Sequence, residues 1–224
     1  MRASSGGFLM KTIKTFRAAL VACALVSLTP LAAQAATILQ TATAIPGDIG
    51  DYIATAFNQR VIGADFTLTH DSHITSVGFG SGRFGGGTIF GAIVPVDPTT
   101  GFPIASFDNL ASTALGFTLI NELPTAGDVS GLLSLDLVAG TYGVVFGSGQ
   151  FGATGVGAFT FSTAIGNPAM FESFFGSAFA NRSDDVRLFV TGEVPEPASV
   201  ALMLAGLAGM GWLVTRRRRT DGLP

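Results

Sequence analysis

The 224-residue chain has one cysteine, Cys23, and one tryptophan, Trp212, and both lie near its ends. From Ala36 to Pro197 there is no cysteine, no lysine and no tryptophan. A disulfide framework, a cysteine-based zinc site and a cysteine nucleophile are therefore excluded for this stretch. It holds four arginines (Arg60, Arg83, Arg182, Arg187) against 14 Asp and Glu, a net charge of −10. The whole-chain value of −3 hides this, because eight of the 12 basic residues sit in the end segments. So acidic a region is repelled by phosphates, which excludes nucleic acid as a partner.

The ends are what the chain has in place of these groups. Lys11, Lys14 and Arg17 form a positive n-region, Ala18 to Leu28 is an apolar run, and Ala33-Gln34-Ala35 is an A-x-A cleavage site. Residues 1–35 read as a signal peptide cut between Ala35 and Ala36. A start at Met10 would place the charges at the very front of a shorter signal. Leu20-Val21-Ala22-Cys23 also has the form of a lipobox, but a second apolar run follows the cysteine, and the signal-peptidase reading is preferred.

Ala198 to Val214 is uncharged and ends at Arg216, Arg217, Arg218 and Arg219. At about 1.5 Å per residue it spans about 25 Å, near the short limit for a membrane helix. The arginine block acts as a stop-transfer anchor that stays cytoplasmic, and Trp212 stands where an interfacial aromatic belongs. Ala201, Ala205 and Gly209 repeat every fourth residue, a small-residue face suited to helix pairing. Val194-Pro195-Glu196-Pro197, this apolar run and the arginine cluster together resemble the PEP-CTERM sorting signal of Gram-negative bacteria, a segment also labelled after ice-binding proteins that carry it. The resemblance implies recognition at the Pro-Glu-Pro by an exosortase-type membrane enzyme, and a setting in which extracellular polysaccharide is made. The physics agrees: two prolines neither continue a helix nor pair inside a sheet, so the motif stays extended. On this reading 194–219 is the sorting segment and 220–224 a cytoplasmic tail.

Residues 36–193 remain as one domain. Their apolar residues come in short runs bounded by Gly, Pro, Asp and Ser, with period-2 alternation or β-branched enrichment. Strands are expected at Thr37–Ala44, Val61–Leu68, Ile74–Phe79, Thr88–Val94, Ala114–Ile120, Leu132–Val138, Tyr142–Phe146, Ala158–Thr163 and Val186–Thr191. Nine such strands point to an all-β fold, an antiparallel β-sandwich of jelly-roll-like type. Leu135 to Tyr142 resembles a hairpin of secreted bacterial sandwich domains, in which an Ala-Gly turn feeds a Tyr-bearing strand. Phe171–Phe179 is open between helical turn, strand and loop.

Phe79-Gly80-Ser81-Gly82-Arg83-Phe84-Gly85 recurs nearly unchanged as Phe146-Gly147-Ser148-Gly149-Gln150-Phe151-Gly152. Both satisfy G-x-G-x-x-G, but a dinucleotide site needs a helix after the last glycine and strands are expected here. Both therefore read as Gly-rich hairpin loops. His70-Asp71-Ser72-His73 is the densest polar cluster. His70, Asp71 and His73 are candidate metal ligands, while the simpler reading is a turn with Asp71 and Ser72 bonding the backbone at its tip. Asp48 with Asp51, and Asp184 with Asp185, are loop carboxylates open to calcium or to solvation alone. No G-x-S-x-G surrounds any serine, and nothing nominates a carboxylate pair for glycoside hydrolysis. The Thr41/Thr43 and Thr67/Thr69 pairs are too short for an ice-binding array.

The expectation is an exported, non-enzymatic cell-surface or extracellular-matrix protein. It needs no cofactor, and its partners are the membrane, the exosortase-type enzyme and exopolysaccharide. It passes through the inner membrane on its single C-terminal helix. The alternative is a carbohydrate-binding module of the envelope, for which Tyr52 and Tyr142 are the available tyrosines. A secreted hydrolase using His70 or His73 ranks below both.

Overall fold

The structure is a computed structural model that describes residues 35–44, 52–56, 60–82, 86–122, 125–183, 185–193, 205–209 and 211. The chain divides into Met1–Ala33 and Gln34–Pro224, and the described residues all belong to the second unit. The n-region, Ala33, the sorting motif Val194–Pro197 and the block Arg216–Arg219 lie outside them. Residues 205–209 are helical, and no helix among the described residues is long and apolar enough to cross a membrane.

Among the described residues, twelve strands form two antiparallel sheets. They are β1 (Ala35–Gln40), β2 (Tyr52–Ala56), β3 (Arg60–Leu68), β4 (Ser72–Ser81), β5 (Thr88–Pro95), β6 (Gly116–Asn121), β7 (Gly127–Leu137), β8 (Gly140–Gly147), β9 (Gly157–Thr160), β10 (Met170–Phe174), β11 (Ala180–Arg182) and β12 (Leu188–Glu193). The first sheet runs β1-β12-β4-β9-β2, with β7 also paired to β4; the second runs β11-β10-β3-β8-β5-β6. Each of the nine expected strands falls on an observed one. Phe171–Phe179 resolves into most of β10 and a turn.

The two sheets face each other across one apolar core. Ile62, Phe66, Val144 and Phe146 of the second sheet meet Val77, Phe79, Leu188 and Val190 of the first. Phe79 packs edge-on against Phe146 at 5.3 Å and tilts against Phe159 at 4.4 Å. Each such fully buried side chain contributes about 1.5–3 kcal/mol of transfer free energy. The repeated Phe-Gly-Ser-Gly segments thus supply opposite walls of the core, each from the end of a central strand.

Two expected local shapes are corrected. Among the described strands, only β5–β6 and β10–β11 are consecutive strands that pair. The Leu135–Tyr142 segment is therefore no hairpin: β7 pairs β4 in one sheet, and β8 pairs β3 and β5 in the other. It is an arch between sheets. Likewise, the chain crosses sheets after both Gly-rich segments, from β4 to β5 and from β8 to β9, so neither is a hairpin loop. Both are followed by strands, as expected, and among the described residues no helix opens there to hold a dinucleotide.

The second sheet carries another apolar layer on its outer face. Phe107 and Leu110, from the 3-10 turn Phe107–Asn109 and the short helix Leu110–Thr113, join Ala153 over Val61, Phe90, Ala92, Val94, Val145 and Phe171. Gly63 makes room for this layer, since a Cβ there would collide with the Phe171 ring.

Candidate functional site

The His70–His73 cluster spans the end of the arch between β3 and β4 and the first two residues of β4. Asp71 Oδ1 accepts the Ala139 N–H at 2.9 Å, tying this arch to the β7–β8 arch beside it. Ser72 Oγ donates to the His70 carbonyl at 3.0 Å. His70 Nδ1 bonds its neighbour Thr69 Oγ1 at 2.9 Å. His73 points elsewhere, with Nδ1 2.6 Å from Asp136 Oδ1 on β7. His70, Asp71 and His73 therefore do not converge as a ligand set, and among the described residues no three His, Cys, Asp or Glu do. His70 and Asp71 belong to the arch, with Asp71 bonded to Ala139, whereas His73 stands on β4 with its ring against Asp136 of β7, so the cluster is divided between separate partners. Of the loop carboxylates, Asp48, Asp51 and Asp184 lie outside the described residues. Asp185 lines a cleft of about 110 Å³ together with Thr41, Met170 and Arg182.

The bond to Asp136 sets the histidine's chemistry. A carboxylate only accepts, so Nδ1 carries the hydrogen and Nε2 is the acceptor of the neutral ring. Ser134 Oγ stands 3.4 Å from that Nε2. The three groups make a Ser-His-Asp row on the outer face of the first sheet, which sequence reasoning missed because Ser134 and Asp136 are strand residues 61 and 63 positions from the histidine. The row lacks the buried acid that stabilises an imidazolium in a hydrolase, since the Asp136 side chain is 92% exposed. Ser134 also stands within β7, where no strand-to-helix elbow presents it.

Alongside the row lie further hydroxyls. Thr191 Oγ1 bonds Ser76 Oγ at 2.7 Å and Thr75 Oγ1 at 3.2 Å. Phe189 lies half-buried across Gly78, where a Cβ would meet its ring. Tyr142, by contrast, is spent on the fold. Its ring packs near Phe66 at 6.0 Å and its hydroxyl donates to the Val138 carbonyl at 3.0 Å.

The three described arginines all have carboxylate partners. Glu172 Oε2 accepts from Arg60 Nη2 at 2.9 Å and from Arg182 Nη1. Arg187 grips Asp128 with two bonds of 2.6 Å and also donates to the Ala42 carbonyl. In a domain this acidic, paired arginines were the arrangement to expect. Glu122 is the unforeseen group. It is buried, and Ser81 Oγ donates to its Oε2, while Oε1 has no hydrogen-bond partner. Burial pushes its carboxyl up to about 7, against the pull of the Ser81 and Ala158 hydrogen bonds.

The first and last strands of the domain complete the picture. β1 pairs β12 with Ala35 opposite Glu193, Ala36 opposite Gly192 and Thr37 opposite Thr191. On its other side β12 pairs β4, with Glu193 opposite His73. Thr41 locks the seam, its Oγ1 donating to the Val186 carbonyl and accepting the Leu188 N–H at 2.8 Å. The expected cleavage bond Ala35–Ala36 thus lies in the first pairs of this ladder, and the expected sorting motif begins one residue after its end.

A family model described as the PEP-CTERM protein-sorting motif matches residues 193–219. The chain carries a PEP-CTERM sorting motif. That motif supports sorting of an exported protein by an exosortase-type system. No curated protein matches the chain. Among solved structures, it is similar to the cysteine protease and lectin-like domains of Cwp84, a surface layer associated protein of Clostridium difficile. The identity is 13% and the TM-score 0.40 over 61% of this chain and 33% of that one. The match spans about a third of that structure's length.

Proposed function

We propose that this is a non-enzymatic protein of the cell surface or extracellular matrix. Its jelly-roll-like ectodomain crosses the inner membrane behind a signal peptide, is held by the C-terminal apolar helix and is released by exosortase-type processing. The observation that carries the reading is the PEP-CTERM match at 193–219, which starts on the last residue of the last strand. The ectodomain's polar side chains support it, because Asp71, Glu172, Asp128 and the three described arginines serve internal bonds. The test replaces Pro195-Glu196-Pro197 by three alanines and reads the mature C-terminus by mass spectrometry. The variant is expected to accumulate full-length in the inner membrane. Release with the wild-type C-terminus would overturn the sorting reading.

A second reading, a carbohydrate-binding module, is favoured by one observation. Phe189 is half-buried on the outer face of the first sheet, which also carries Thr191 and, toward the other end of β4, the His73–Asp136 row. A polysaccharide array probed with residues 36–193 decides it. Binding that is reproducible and lost in Phe189→Ala promotes this reading; no binding removes it.

A further inference from the structure

The sorting motif follows directly on a strand that is held on both sides. β12 is an inner strand, paired to β1 on one side and β4 on the other up to Glu193 itself. Thr191 adds side-chain bonds to Thr75 and Ser76 one register step away. The last residues of β12 therefore cannot peel off without breaking two ladders. Four residues, 194–197, separate Glu193 from the apolar run that begins at Ala198. Fully extended they reach at most about 14 Å. A membrane enzyme that holds any of them in its active site has the end of the sandwich against it.

We propose that this end of the first sheet, formed by the β3–β4 arch, the β7–β8 arch, His73, Asp136 and Glu193, is the docking surface for the motif's processing enzyme. The inference rests on the sorting reading above. The chemistry of the surface specifies its counterpart. Asp71, Asp136 and Glu193 converge here with His70 and His73, whereas Arg60 stands at the far end of β3 and Arg187 just before the start of β12. Among the described residues this end carries no arginine or lysine. Its partner surface is cationic, and complementary charge speeds encounter and fixes orientation. Asp136, with its side chain 92% exposed, and Val138, 66% exposed, stand out from it and fold without needing their side chains buried.

The test follows processing of the full chain in cells by pulse-chase, with thermal melts of the released protein as the folding control. Asp136→Lys with Val138→Lys is expected to slow processing at least fivefold with the melt unchanged. Thr125→Lys, at an exposed position just before β7 at the opposite end, is expected to leave the rate alone. Six Gly and Ser residues inserted between Glu193 and Val194 should restore processing of the double variant, because the motif then reaches the enzyme without its domain. Wild-type or faster processing of the double variant overturns the proposal, the faster rate pointing to repulsion between this acidic end and anionic lipid. Slowing that the insertion does not relieve overturns it too. Failure of the sorting reading is separate, since it shows as unchanged release of the Ala-Ala-Ala variant.

Discussion

The two sheets use the same device with different outcomes. On each, a phenylalanine from a neighbouring strand lies across a glycine, Phe171 over Gly63 in the second sheet and Phe189 over Gly78 in the first. Phe171 is then sealed beneath Phe107, Leu110 and the edge-on ring of Phe179 at 5.5 Å. Nothing among the described residues forms such a layer over Phe189, whose neighbours are Arg187 and Thr191. One outer face is a second core, and the other is left to solvent or to partners. A sheet buried on both faces reads as a continuous apolar run, and one buried on a single face alternates. Ile89–Val94 in β5 is buried throughout, whereas β7 alternates exposed and buried almost without a break.

That contrast can be broken most sharply at Phe171. Its truncation to alanine empties a fully buried site and is expected to cost about 3–5 kcal/mol in urea denaturation. A cost below about 1 kcal/mol would mean that the second layer is not packed. Next in size is a pH effect from the junction of the sheets. The Glu122 carboxyl titrates at about 7 in the folded chain, raised from 4.5 by burial. The neutral acid is thus the form the fold favours. Its stability is fully present below about pH 4.5 and is lost as pH rises through about 7, at most about 3 kcal/mol. Glu122→Gln should flatten the fall in melting temperature between pH 5 and 8; an unchanged slope assigns the dependence to other groups. The smallest effect belongs to the bare face, where Phe189→Ala is expected to cost about 1 kcal/mol. A loss equal to that of Phe171→Ala would show that this face is a packed layer after all.

Much of this architecture was legible in the residues. Phe66 and Leu68 alternate with Asp65 and Thr67, and β3 forms there with both apolar side chains buried. What stayed hidden depends on contacts distant in sequence. Nothing in Leu135–Tyr142 says whether its two strands pair or part, because β4, some 60 residues earlier, competes for β7. β10 was obscured because Glu172 interrupts its apolar run, and only Arg60 and Arg182 make that position habitable. At the candidate site, Asp71 bonds the backbone as a turn residue should, though its donor Ala139 lies in the other arch. The Ser134–His73–Asp136 row had no sequence signature, since it is assembled by the register of β4 against β7.

The β1–β12 seam also determines how the domain bears force. A chain held at the membrane by its C-terminus receives tension at Glu193, directed along β12. A pull shared with a far point on the sandwich loads the hydrogen bonds of two antiparallel ladders together, so they resist in shear. A pull between Glu193 and the start of β1, at the same end, opens one ladder bond by bond like a zip. The same domain therefore resists tension between Glu193 and a far point on the sandwich, and yields if both ends of the β1–β12 ladder are drawn apart.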